Sequence, residues 1–194
     1  EEVGYEVVSD SVFSKISDTC TPQGVLCVLK QFHYNIEEML RDKAPLFLLL
    51  ENIQDPGNLG TMLRTGEGAG VSGIIMSRDT VDLYNPKVIR STMGSIYRVP
   101  FYYADDFAAA VHQVQQAGVS VYAAHLRGKN SYACQDYTKG TAFLIGNEGN
   151  GLREETAELA DCYIRIPMEG KVESLNAAVA SSILMYEAHR QRAI

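Results

Sequence analysis

Three stretches of the sequence gather the residue types that do chemistry around a bound ligand. The first, Glu51-Asn52-Ile53-Gln54-Asp55-Pro56-Gly57-Asn58-Leu59-Gly60, runs into a helical pattern that carries Arg64. Asp55 or Asn58 is suited to cap that helix, whose amino end favours an anion. Arg64 stands six residues beyond Asn58, nearly two turns, so both can reach one side of the helix. A capped helix with a solvated Arg is the plainer alternative. The second stretch, Gly146-Asn147-Glu148-Gly149-Asn150-Gly151, has three glycines in six positions, which permits close backbone approach to a ligand. Glu148 has no local partner there and reads either as a site carboxylate or as a solvated turn residue. The third is Ile164-Arg165-Ile166-Pro167-Met168-Glu169-Gly170-Lys171-Val172-Glu173-Ser174-Leu175-Asn176. Ser174 is the expected N-cap of the helix that follows. The first half of that helix, from Ala177 to Leu184, is small and apolar nearly all round, which suits burial in a core or at a subunit interface.

Other chemistries find less support. No stretch matches a phosphate-binding P-loop, and the dinucleotide fingerprint is absent from the first strand–helix turn. Gly66-Glu67-Gly68-Ala69-Gly70 imitates it weakly, at a helix end where glycines act as caps. Cys20, Cys27, Cys134 and Cys162 lack paired spacing, and His33, His112, His125 and His189 stand alone. Free thiols, a cytoplasmic location and no metal are therefore expected. No apolar run approaches the ~20 residues of a membrane span, so no membrane association is expected. The formal net charge of −7 argues against a broad phosphate-binding surface. Composition alone does not suggest RNA.

The elements that must position these stretches form a regular series. Short apolar strands are expected at 46–51, 73–76, 99–103, 119–124, 142–146 and 163–167. Helices are expected between and after them, at 58–69, 86–93, 105–117, 153–159 and 174–192. That alternation implies an α/β fold, a mostly parallel sheet with helices on both faces. Ligands in such sheets gather at loops leaving the carboxyl ends of strands, where the three stretches fall. Upstream, residues 3–31 alternate in a strand-like way, with Val25 to Leu29 following a turn at Thr21-Pro22-Gln23-Gly24. The polar segment 32–45, with helix-forming Glu37-Glu38-Met39-Leu40 and Pro45 at its end, reads as a linker to a domain spanning 46–194. The chain opens at Glu1-Glu2-Val3, with no initiator Met or signal-peptide pattern, and reads as part of a longer protein.

In this order and spacing the three stretches resemble the signature motifs of the SpoU (TrmH) class of RNA ribose 2′-O-methyltransferases, in the SPOUT superfamily. Asn52-x-x-Asp55-Pro56-x-Asn58-x-Gly60-x-x-x-Arg64-Thr65 is similar to the first motif. Leu144-Ile145-Gly146-Asn147-Glu148-Gly149-x-Gly151-Leu152 is similar to the second, and Ile166-Pro167-Met168-x-Gly170-x-Val172-Glu173-Ser174-Leu175-Asn176 to the third. The likeness runs from about Leu46 to the C-terminus. It implies methyl transfer from S-adenosylmethionine to a ribose 2′-hydroxyl of RNA, rRNA rather than tRNA, without a metal. It also implies a C-terminal deep trefoil knot and a homodimer built on helices near that knot. By the same resemblance, Arg64, Asn58, Glu148, Ser174 and Asn176 form the catalytic set. Leu144, Gly146, Asn147, Ile166, Met168 and Leu175 are implied to bind the cofactor. One departure is Gly66, where the family usually has Ala, and this should loosen the helix by up to ~1 kcal/mol.

Phe13-x-x-Ile16-Ser17-x-Thr19-x-Thr21-Pro22-Gln23-Gly24 resembles the end of the small RNA substrate-binding domain found before this catalytic domain, so 1–31 is expected to be its remnant. Basic residues that the composition lacks would then belong to the rest of that domain. A non-catalytic RNA-binding or ribosome-assembly module keeping the fold is the alternative, and the presence of Arg64 and the glycine loop speaks against it. An α/β enzyme using a nucleotide cofactor differently is a third reading.

Overall fold

The structure is a computed structural model that describes residues 4–17 and 19–193. The chain divides into two compact units, Glu1–Phe32 and His33–Ile194. In the first, α1 (Asp10–Ile16) buries none of its residues. The strand-like alternation expected over 3–31 forms no strand among the described residues, and Val3 and Asp18 lie outside them. Val25, Leu26, Val28 and Leu29 are exposed. A strand needs a partner for its backbone amides and carbonyls, and among the described residues of this unit there is none.

In the second unit the segment read as a linker carries α2 (Ile36–Met39), capped by Asn35, and Ile36 and Met39 are buried in the core. The sheet holds seven strands, all paired in parallel, in the order β3-β2-β1-β6-β4-β7-β5. These are β1 (Leu46–Leu50), β2 (Gly73–Ser77), β3 (Phe101–Ala104), β4 (Ser120–Ala124), β5 (Asn130–Ser131), β6 (Thr141–Ile145) and β7 (Cys162–Arg165). The central pair, β1 and β6, is buried along its whole length, so both faces must be covered. Leu46, Leu48 and Leu50 point to one face, where α3 (Pro56–Ala69), α4 (Pro86–Ser91) and α7 (Ala177–Arg192) pack. Phe47 and Leu49 point to the other, under α2, α5 (Phe107–Gln116) and α6 (Glu154–Ala157). The α/β architecture with helices on both faces follows from this pairing of apolar strands with amphipathic helices. β5 is only two residues long and shows no periodicity from which to read it.

Caps fix the helices that matter to the site. Asp55 accepts the Asn58 amide at 2.8 Å to start α3, with Pro56 in the first helical position. α7 starts at Ala177 rather than at 174. Its N-cap is Asn176, whose side-chain oxygen takes the amides of Ala178 and Val179, and Ser174 caps nothing. Ala177, Ala178, Ser181, Leu184, Met185 and Ala188 of α7 are buried. Much of its apolar character is therefore used inside the chain, leaving Val179 and Tyr186 as its exposed apolar residues.

Candidate functional site

The Glu148 carboxylate ties the loop that leaves β6 to the loop that leaves β1. Glu148 accepts the backbone amides of Gln54 and Asp55, both at 3.1 Å, and the side-chain amide of Asn58 at 3.0 Å. Asn58 in turn accepts from the Asn176 side-chain amide at 3.0 Å, and Asn176 spends its oxygen on the cap of α7. Each Asn thus has its oxygen and one amide hydrogen committed, which orients both amides and leaves each a second N–H for another partner. Burial pushes the Glu148 carboxyl up, but the hydrogen bonds from Asn58, Gln54 and Asp55 outweigh it and hold it below the usual carboxylate range. Glu148 is therefore an anion at neutral pH with three donors, not the unpartnered turn residue that local sequence allowed.

The glycine loop closes on itself. Asn147 and Gly151 exchange backbone hydrogen bonds of 3.1 and 2.9 Å. The Asn147 side chain accepts the Gly149 and Asn150 amides and donates to the Asn52 carbonyl at 2.8 Å. Gly146 sits so close beneath Gly151 that a Cβ there would lie 2.2 Å from the Gly151 carbonyl carbon and the Leu152 nitrogen. No other residue type fits without opening the loop.

Behind this loop lies a cavity of about 280 Å³, near the lower bound for small-molecule sites. The loop forms one wall, and the stretch after β7, with Ile166, Met168, Ser174 and Leu175, forms another. Asn147, Glu148 and Gly149 also border a second, open polar hollow shared with Gln54, Asn58 and Asn176. The arrangement can hold a partly apolar ligand on one side of Glu148 and a hydroxyl-rich one on the other.

Asn58, Glu148 and Asn176 are thus brought together by direct hydrogen bonds. Ser174 lines the cavity, as do Gly146, Asn147, Ile166, Met168 and Leu175. Leu144 does not: it is fully buried in the core between β1 and β4. Arg64 lines neither space. It is exposed on α3, and no hydrogen bond or ion pair ties its side chain to a described residue. Of the other cations, Arg98 is bound to Glu67.

Sequence reasoning missed several residues here. His125 lines the cavity and accepts the Arg127 amide on Nδ1 at 3.1 Å, which leaves the proton of the neutral ring on Nε2. Burial and the neighbouring Arg127 push its pKa down, which favours that neutral form. A lone His carries no pattern that could have signalled this. Glu51, at the end of β1, is 1% exposed and accepts the Arg153 amide and the Thr156 hydroxyl. Its only signal was its place at a strand's carboxyl end. Among the described residues no group of three or more His, Cys, Asp or Glu is placed to hold a metal ion. No helix there is long and apolar enough to cross a membrane.

A parallel sheet with a glycine loop and an amide–carboxylate hub at its carboxyl edge defines an α/β protein with two adjoining spaces at that edge. Residues 45–186 match the SpoU rRNA methylase family, and the chain belongs to it. The 23S rRNA (guanosine(2553)-2′-O)-methyltransferase RlmP of Bacillus subtilis is 35% identical over 93% of this chain and 70% of its own length. The 23S rRNA (guanosine-2′-O-)-methyltransferase RlmB of Ralstonia nicotianae is 33% identical over 92% of the chain and 74% of its own. Among solved structures, an AdoMet-bound rRNA methyltransferase from Sinorhizobium meliloti superposes with a TM-score of 0.85 at 36% identity, covering 94% of this chain and 70% of that one. The SpoU methyltransferase AviRb from Streptomyces viridochromogenes gives 0.77 at 30% identity, over 82% of this chain but 64% of that one.

Proposed function

We propose that this chain transfers a methyl group from S-adenosylmethionine to a ribose 2′-hydroxyl of RNA, rRNA rather than tRNA, as a cytoplasmic enzyme. The observation that carries the reading is the cavity behind the glycine loop, which meets the polar hollow at Glu148. The residues present fit the cofactor. Ile166, Met168 and Leu175 suit an adenine face, and the Glu148 anion suits a cationic ligand. When bound, the cofactor supplies an electrophilic methyl group on a sulfonium.

The chain's own residues then have separate tasks. Glu148 holds Asn58 in register, and the spare N–H groups of Asn58 and Asn176 face the hollow, where they orient a ribose. Ser174 adds a hydroxyl from the cavity side. Arg64 lines neither space, so in this reading it stabilises the developing alkoxide or the adjacent phosphate only once RNA lies across α3. A guanidinium stays protonated above pH 12, so it acts as a donor and a charge rather than as a base. A C-terminal trefoil knot, as the family resemblance implies, belongs to the same reading. A homodimer is part of the reading, with exposed Val179 and Tyr186 on α7 as its candidate contacts.

The test pairs calorimetry with S-adenosylhomocysteine and a radiolabel assay on unmodified 23S rRNA. Wild type should bind and transfer. Arg64→Ala should bind within a few-fold of wild type and transfer nothing measurable. A wild type that bound but left rRNA unlabelled would turn the reading towards a binding module, and near-normal turnover by Arg64→Ala would remove Arg64 from the mechanism.

A further inference from the structure

Glu51 is the one charged residue among the described ones that is buried. Burying a charge is costly, and an apolar replacement is often more stable, so a carboxylate kept here needs a reason. The neighbouring strand positions, Leu46 to Leu50, are all filled by apolar side chains. The contacts of Glu51 supply the reason. It accepts the Arg153 amide at 2.8 Å, the Thr156 hydroxyl at 2.5 Å and the Arg153 guanidinium at 3.5 Å. Arg153 occupies the cap position of α6, yet its own side chain caps nothing. Glu51 takes that cap amide from a different strand, much as an acidic residue inside a helix reaches back to it in a capping box. Arg153 extends the contact to Asp79 in the loop after β2.

Two carboxylates therefore cross between the same two loops. Glu51 leaves the β1 side and holds the far end of the glycine loop, while Glu148 leaves the glycine loop and holds the β1 side. Asn147 adds a third tie to the Asn52 carbonyl. With both ends pinned, the loop has one position, and Glu148 and the cavity wall follow it.

We infer that Glu51 is a positioning residue: through Arg153 and Thr156 it sets the glycine loop, and so Glu148, against the loop after β1. This rests on the reading of Glu148 as part of the site. The amides of Gln54 and Asp55 report directly on it, because both donate to Glu148.

The experiment compares wild type with Glu51→Ala, Glu51→Gln and Tyr137→Phe. The last loses a buried hydroxyl contact to the Tyr132 carbonyl, away from the site, and serves as a stability control. Hydrogen exchange at Gln54 and Asp55, relative to the core amide of Leu48, is measured by NMR, and S-adenosylhomocysteine affinity by calorimetry. Glu51→Ala should speed exchange at both amides about tenfold and weaken binding about tenfold, each the equivalent of ~1.4 kcal/mol. Glu51→Gln should recover most of both, since its amide oxygen still accepts the Arg153 amide. Tyr137→Phe should change neither, even where it lowers Tm as much. Unchanged exchange in a folded Glu51→Ala, or the same changes in Tyr137→Phe at equal Tm, would overturn the inference. If Glu51→Ala fails to fold, Thr156→Ala decides on the same readouts: a smaller shift in the same direction supports it and none refutes it. A wild type that does not bind S-adenosylhomocysteine would defeat the methyl-transfer reading instead, while the exchange comparison would still decide on Glu51.

Discussion

Gly146→Ala should damage the site by sterics alone. Gly146 is not in the left-handed region, so an alanine carries no φ penalty there. The added Cβ, however, would fall 2.2 Å from two backbone atoms of Gly151 and Leu152, against 3.4 Å for ordinary contact. The loop must retreat by about 1 Å, because backbone cannot rotate away as a side chain can. That retreat breaks the paired hydrogen bonds between Asn147 and Gly151, each worth about 0.5–1.5 kcal/mol. The loss is then about 1–3 kcal/mol, or a Tm fall of roughly 2–12 °C for a chain of this size. The same movement displaces the cavity wall. Losing one or two ~1 kcal/mol contacts weakens S-adenosylhomocysteine by roughly 5–30-fold, and a ~1 Å misplacement lowers turnover by about a hundredfold. Differential scanning calorimetry and titration calorimetry on the purified variant read both effects. Wild-type Tm and affinity would refute the claim that only glycine fits.

Gly66→Ala, the change toward the usual family residue, should raise Tm by less than the ~1 kcal/mol of helix propensity implies, because the new methyl meets a Val71 methyl at 2.9 Å. A full gain would show that Val71 gives way freely. The Glu148 carboxyl titrates below its usual range, so its contribution to stability is complete above ~pH 4.3 and is lost as pH falls through the depressed folded value. Thermal melts between pH 6 and 3 (set as test conditions, spanning the ~4.3 reference value) should therefore fall less steeply for Glu148→Gln than for wild type, and parallel curves would count against the hub. Light scattering at micromolar concentration should give twice the chain's mass of 21.4 kDa, and a monomer would remove the dimer from the proposal.

The sequence was most legible where one physical demand dominates. Leu46 to Leu50 and Thr141 to Ile145 are apolar at nearly every position because both faces of those strands are covered, and their place in a parallel sheet could be read from that. The start of α3 reads two residues late from sequence, at 58, with Asp55 and Asn58 both open as its cap, whereas Asp55 caps it and Pro56 opens it. Legibility failed where the answer depends on distant partners. Ser174 and Asn176 are both good caps, and only the docking of α7 chooses between them. Leu144 sits in a motif while its side chain faces the core, so only its backbone groups are left for the cofactor contact the resemblance implies. The burial of Glu51 depends on residues 102 and 105 positions away. Val25 to Leu29 had strand-forming side chains but no second strand to pair with.

The tie between Asn58 and Asn176 also sets a clock. The two residues are separated by 118 positions, and the hub is incomplete without either. At a synthesis rate of ~5–20 residues per second, the second emerges roughly 6–24 s after the first. Through that interval the strands already made can pair, but the polar hollow lacks its last amide and α7 has yet to be made. A chain still being translated short of Asn176 therefore cannot have the complete amide–carboxylate hub.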